Sequence, residues 1–250
     1  MKQSIIYALD FDGVICDSAV ETAITGWKAA CIIWQDMPKA VPQDLIAQFK
    51  LVRPIIETGF EAILAMRLLY QQTPLEDIYQ NYDGLTQTLL NEANQTTDGL
   101  KMLFGNIRDT WIENDLTEWI KQNPLFTGVA NKLQKLTQHT TWYIITTKQE
   151  RFVKQILKAN AIELDDHRIF GLDRNMNKPA VLKMLLNQHP GQEIYFLEDR
   201  LPTLLNVIKT PELSNIKLIF ALWGYNTSAD KALAQQNAIL LQELSEFLKF

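Results

Sequence analysis

The chain of 250 residues has few of the residues that announce a special chemistry. It carries two cysteines, Cys16 and Cys31, which form no metal or redox spacing and read as small buried hydrophobes of a reducing compartment. Its three histidines, His139, His167 and His189, are scattered, and none stands beside a cysteine or another histidine at ligand spacing, which argues against a zinc site. No run of about 18 apolar residues occurs, so no membrane-spanning helix is expected. Long basic tracts are missing and the formal net charge is −5, so neither nucleic acid nor an anionic membrane surface is the expected partner. Met1-Lys2-Gln3-Ser4 leads straight into an apolar strand, with no segment of signal-peptide length and no small-residue cleavage site. The expectation is a cytoplasmic protein of undetermined oligomeric state. What the chain does have is core: 47% of residues are hydrophobic and 21% charged, enough for one large domain or a domain with an insertion.

The apolar run Ile5–Leu9 reads as a strand buried on both faces. It ends in Asp10-Phe11-Asp12-Gly13. Two carboxylates at the mouth of a buried strand are costly unless something uses them, although an Asp-Gly turn with local hydrogen bonds is the ordinary alternative. From 18 to 122 the pattern is helical, with helices expected over Val20–Ile33, Gln43–Val52, Glu61–Tyr70, Leu75–Tyr79, Leu85–Glu92 and Arg108–Ile120, and a polar loop at Asn91–Thr97. Such an all-helical block between two strands reads as an inserted domain.

After 123 the pattern alternates. Helices are expected at Leu125–Leu136, Glu150–Ala159, Lys178–Asn187, Leu201–Ile208 and Leu240–Phe250, and strands at Trp142–Ile145, Arg168–Gly171, Glu193–Leu197 and Ile216–Ala221. Alternation of this kind implies an α/β fold with a parallel, doubly wound sheet, built from 1–17 and 123–250, around an inserted helical domain at 18–122. No internal repeat is evident.

Four polar points fall at strand ends or helix starts: Asp10 and Asp12, Thr146 with Thr147, Lys178, and Glu198 with Asp199. Each has an ordinary reading alone, Thr146 as a helix cap, Lys178 as a solvated first-turn residue, and Glu198-Asp199 as a turn. In a parallel sheet, however, all four converge on one rim, where open α/β sheets bind ligands. Asp10, Asp199 and Glu198 would then be hard oxygen ligands suited to Mg²⁺, and Lys178 and the Thr146 hydroxyl would be donors for phosphate oxygens.

These motifs, in this order, resemble the haloacid dehalogenase superfamily, in its phosphatase-like branch with an α-helical cap. Asp10-Phe11-Asp12-Gly13-Val14 is similar to the first motif, the strand ending at Thr146 to the second, Lys178-Pro179 to the third and Glu198-Asp199 to the fourth. The resemblance implies that Asp10 attacks phosphorus to form an aspartyl-phosphate. It implies that Asp12 protonates the leaving oxygen and then deprotonates water. Thr146 and Lys178 would hold the transferring group. Asp10, the main-chain carbonyl of Asp12, and Asp199 would bind Mg²⁺. The dehalogenase branch lacks the second acid, so Asp12 favours phosphoryl transfer. Many members carry a further aspartate four residues after the last motif, where this chain has Thr203. The Glu-Asp form is similar to that of β-phosphoglucomutase, and gives Glu198 the outer role at the metal.

In this family the cap selects the substrate. The stretch 51–59 carries Pro54 and Gly59, and Arg53 within it is expected to contact an anionic leaving group, the alternative being a surface pair with Glu57. Trp27, Trp34, Trp111 and Trp119 read as cap core, and Trp223-Gly224-Tyr225 as packing at a strand end, the alternative being a reach to the rim. The expected activity is Mg²⁺-dependent hydrolysis of a small phosphorylated metabolite, phosphoglycolate-like or a sugar phosphate. A phosphomutase using the same Asp10 intermediate, and a regulatory protein that has kept the fold without turnover, are the alternatives.

Overall fold

The computed structural model describes residues 5–237 and 239–249. It divides into two compact units: residues up to Asp17 with Pro124 onward, and Ser18–Asn123.

The first unit is an α/β sheet domain. Its strands are β1 (Ile5–Leu9), β2 (Thr141–Ile145), β3 (Ile169–Phe170), β4 (Glu193–Glu198), β5 (Lys217–Ala221) and β6 (Leu240–Gln242), in the order β3-β2-β1-β4-β5-β6. Every pairing is parallel. The apolar runs are continuous because both faces of the sheet are covered. Ile6, Ala8, Tyr143, Ile145, Ile194 and Phe196 form one core with Val181, Leu182, Leu185, Leu201 and Leu204. Leu9, Trp142, Ile144 and Leu197, of opposite parity along their strands, are also buried.

The helices of this unit begin with α6 (Val129–His139) and α7 (Glu150–Ala159). Then follow α8 (Lys178–Gln188), α9 (Leu201–Ile208), α10 (Ser228–Gln236) and α11 (Leu244–Phe247). Trp142 Nε1 donates to Thr137 Oγ1 at 3.1 Å, which places α6 against β2. α8 and α9 supply the other face.

Several expectations shift. The helix expected from Leu125 starts only at Val129, because Leu125 and Phe126 lie along the exit of β1, where the Phe126 amide donates to the Ile15 carbonyl at 3.1 Å. The strand expected over Arg168–Gly171 shrinks to Ile169–Phe170, since Arg168 closes a 3₁₀ turn and another 3₁₀ turn follows Gly171. The helix expected over Leu240–Phe250 is corrected to β6 followed by the short α11, with Phe250 itself outside the described residues. An open edge of β5 competes with helix propensity for this segment. The edge wins, pairing Ile219 with Leu240 and Ala221 with Gln242. α10 was not expected; its Thr227–Asp230 capping box carries it.

The second unit contains α1 (Ala19–Ile33), α2 (Gln43–Val52), α3 (Ala62–Tyr70), α4 (Leu75–Glu92) and α5 (Thr97–Lys121). α4 joins the two helices expected at Leu75–Tyr79 and Leu85–Glu92, and its backbone breaks at Asn81 between them. α5 breaks likewise at Asp115, whose carboxylate accepts from the Glu118 amide at 2.9 Å and so starts a second helical segment. Trp27 and Trp119 are fully buried. Trp34 and Trp111 are half-buried, under Arg67 and Lys28 respectively. Glu21 is buried too, and is compensated by Arg108 Nε at 2.8 Å, Arg108 Nη2 at 2.6 Å, Trp119 Nε1 at 3.1 Å and Thr25 Oγ1 at 2.6 Å. No helix among the described residues is long and apolar enough to cross a membrane.

Candidate active site

Strand register assembles the site. Leu9 lies level with Ile144 on one side and Leu197 on the other, so the residues that follow leave the sheet at one height. The Asp10 amide extends the ladder to the Leu197 carbonyl at 2.9 Å, and the Thr146 amide reaches the Phe170 carbonyl at 2.9 Å. In a parallel sheet all these strands point their carboxyl ends the same way, and the polar residues that end them share one rim.

On that rim Asp10, Glu198 and Asp199 offer carboxylate oxygens within 4.8 Å of one another, and all three residues are buried. Lys178, the first residue of α8, places its Nζ 3.0 Å from Asp10 Oδ1 and 2.6 Å from Glu198 Oε2. Asn177 caps α8 by accepting from the Ala180 amide at 2.9 Å, which fixes where Lys178 leaves the loop. Glu198 has its other oxygen, Oε1, on the Arg200 amide at 3.0 Å. Both of its oxygens therefore face protein donors, and it holds Lys178 in place. Asp10 Oδ1 also accepts from the Phe11 amide at 2.8 Å, and neither this bond nor the Lys178 pair involves Oδ2.

The cluster has more acid than base. Burial, then the neighbouring Glu198 charge, pushes Asp10 up to about 8, against the pull of Lys178 and the Phe11 amide. Burial raises Glu198 as well, with Lys178 opposing. For Lys178, burial works against the ammonium, but Asp10 and Glu198 together outweigh it and raise its pKa. Asp10 and Glu198 share the single Lys178 ammonium, with the Asp199 carboxylate beside them, so the cluster holds more acid than base. The donor set is all oxygen and its excess charge is negative, so the residues fit a hard divalent cation.

Asp199 is pressed from two sides. Its Oδ2 accepts from the Tyr225 amide at 2.6 Å. Gly13, at φ +87°, closes the turn after β1, and a Cβ there would lie 2.0 Å from that same oxygen. A Cβ on Gly224 would lie 2.2 Å from the Asp199 Cβ. Both positions accept only glycine without displacing the acid. Trp223 does pack, stacking on Phe247 with ring centroids 5.7 Å apart, but the next two residues, read as packing, frame Asp199.

Asp12 meets a partner that sequence reasoning missed. Lys148 Nζ lies 3.0 Å from Asp12 Oδ1, with the lysine side chain almost wholly buried. Thr146 is buried, and its Oγ1 accepts from the Lys148 amide at 3.1 Å. Thr147 is half-buried in the bend between them. Thr203, in the first turn of α9, is half-buried.

Arg53 lies in the helical unit and is 7% exposed. Its Nη1 donates to the Ile56 carbonyl at 2.8 Å, within the turn that follows α2.

No family model matches the chain, and no curated protein matches it. Solved structures do. A predicted phosphatase from Clostridium acetobutylicum superposes with TM-score 0.60 at 14% identity, covering 99% of this chain and 98% of that one. A predicted phosphoglycolate phosphatase from Haemophilus somnus 129pt superposes with TM-score 0.61 at 19% identity, covering 99% and 96%. A haloacid dehalogenase-like family hydrolase from Streptococcus pneumoniae superposes with TM-score 0.56 at 18% identity, covering 97% and 95%. The six-stranded parallel sheet with its inserted helical unit is the fold of the haloacid dehalogenase-like hydrolases.

Proposed function

We propose that the chain is a Mg²⁺-dependent phosphomonoesterase acting on a small phosphorylated metabolite, with a phosphoglycolate-like acid or a sugar phosphate as substrate class. The observation that carries this reading is Lys178 bridging Asp10 and Glu198 inside a buried acidic cluster. A phosphoryl group and a divalent ion together complement that arrangement, the ammonium facing phosphate oxygens and the carboxylates facing the cation. Structural likeness to proteins described as phosphatases supports it.

In this reading a carboxylate oxygen of Asp10 attacks phosphorus, the bond from phosphorus to the leaving oxygen breaks, and the leaving oxygen takes a proton from Asp12. Water then attacks the aspartyl-phosphate, giving its proton to Asp12, and the acyl–phosphate bond breaks to return Asp10 and release inorganic phosphate. Lys178 and Thr146 orient the transferring group and offset its charge. Asp10, Asp199 and the main-chain carbonyl of Asp12, with Glu198 beyond them, would hold Mg²⁺, which would supply charge neutralisation for the transferring group. Arg53 is proposed to contact an anionic part of the substrate.

The test is phosphate release from a generic aryl phosphate, with and without Mg²⁺. Turnover should need the ion and should vanish in Asp10→Asn. Metal-independent turnover, or full activity in that variant, overturns the reading. Arg53→Ala should raise KM for phosphorylated acids, and an unchanged KM across them removes its role.

A further inference from the structure

We propose that Lys148 is the positioning residue for the proton carrier Asp12, an inference that rests on the phosphatase reading above. The two side chains come from different strand exits, 136 residues apart in sequence. The Lys148 side chain is 1% exposed and its Nζ lies 3.0 Å from Asp12 Oδ1. Lysine is almost never buried to this extent unless paired, and a solvated surface pair would not remove it from water.

Its backbone is pinned on both sides. The Lys148 amide donates to Thr146 Oγ1 at 3.1 Å and its carbonyl accepts from the Leu172 amide at 3.1 Å. The turn that carries Asp12 is fixed as well, by the Gly13 amide on the Cys16 carbonyl and the Ile15 and Cys16 amides on the Phe11 carbonyl, each at 2.9 Å. The ammonium acts on the Asp12 carboxyl itself, holding its Oδ1. With Oδ1 held by the ammonium, the orientations open to the carboxyl are narrowed. That matters for a group that must deliver a proton to the leaving oxygen while the phosphorus–oxygen bond breaks, and collect one from water in the next step.

Leaving groups separate this role from a structural or phosphate-binding one. An alkyl oxide needs the proton, whereas 4-nitrophenolate leaves without it. Lys148→Met should lose about tenfold or more in kcat/KM on an alkyl phosphate and markedly less on 4-nitrophenyl phosphate. Lys148→Arg should recover most of the loss. In an Asp12→Asn background the Lys148→Met substitution should add little on the alkyl ester. Lys148→Gln, which keeps a neutral donor of similar reach, is the second variant if methionine prevents folding, and should show the same selectivity at smaller size. Equal losses on both esters, or a full further loss in the Asp12→Asn background, overturn the proposal. A wild-type protein without turnover on either ester refutes the phosphatase reading instead, a different result from an active enzyme with uniform losses.

Discussion

Asp10 ties its own proton to the Mg²⁺ binding proposed for this site. In the unfolded chain its carboxyl ionises near the ordinary value of about 4, whereas in the folded, metal-free protein the proton stays on up to about 8. The folded state thus binds more protons between those values, and this group's contribution makes the metal-free protein less stable as pH rises through that window. A divalent ion bound there must displace the proton, so Mg²⁺ should bind more tightly as pH rises to about 8 and level off above it. Mg²⁺ added at pH 6.5 should release close to one proton per ion, measurable by calorimetry in buffers of different ionisation enthalpy. Binding that does not change with pH would contradict the site's electrostatics. Asp10, Thr146, Lys178, Glu198 and Asp199 were legible because each follows an apolar run or opens a helix. Lys148 was not, since a lysine three residues past a strand looks like surface until the fold buries it. Tyr225 acts through its amide, and a main-chain donor leaves no mark on residue type.

Among the elements, α1 and α5 are joined by the Glu21–Arg108 pair, both partners buried and in contact through two hydrogen bonds. Removing one partner strands the other charge in the core. Arg108→Met should therefore cost about 3–5 kcal/mol, read as a lower urea midpoint for the full-length chain. A loss below about 1 kcal/mol would mean that the pair behaves as a solvated one. α2, α7 and α9 matched their expected bounds because apolar spacing and local stop signals agree there. The start of α6 and the strand β6 did not, because chain running beside β1 and an open edge of β5 decided them. The kink at Asp115 escapes periodicity for a similar reason: its short carboxylate restarts the helix on the Glu118 amide without changing the spacing of apolar residues.

For the whole molecule, ligand binding and stability are linked through the acidic cluster. Mg²⁺ at a hundredfold excess over its Kd should stabilise the folded chain by about 2.7 kcal/mol, which for a chain of this size raises Tm by about 5–10 °C. Calorimetry with and without the ion measures this, and Asp199→Asn should abolish the rise. An equal rise in that variant would place the ion elsewhere. Sequence by itself determined the α/β class, the first five strands and the polar residues that end them, since burial and periodicity are written in local residue type. Only tertiary structure decided that Glu198 is engaged by Lys178 and the Arg200 amide, that Gly13 and Gly224 make room for Asp199, and that Lys148 reaches Asp12. Apart from the Glu198–Arg200 turn, those are contacts between segments distant in the chain, set by register and packing, which no local pattern encodes.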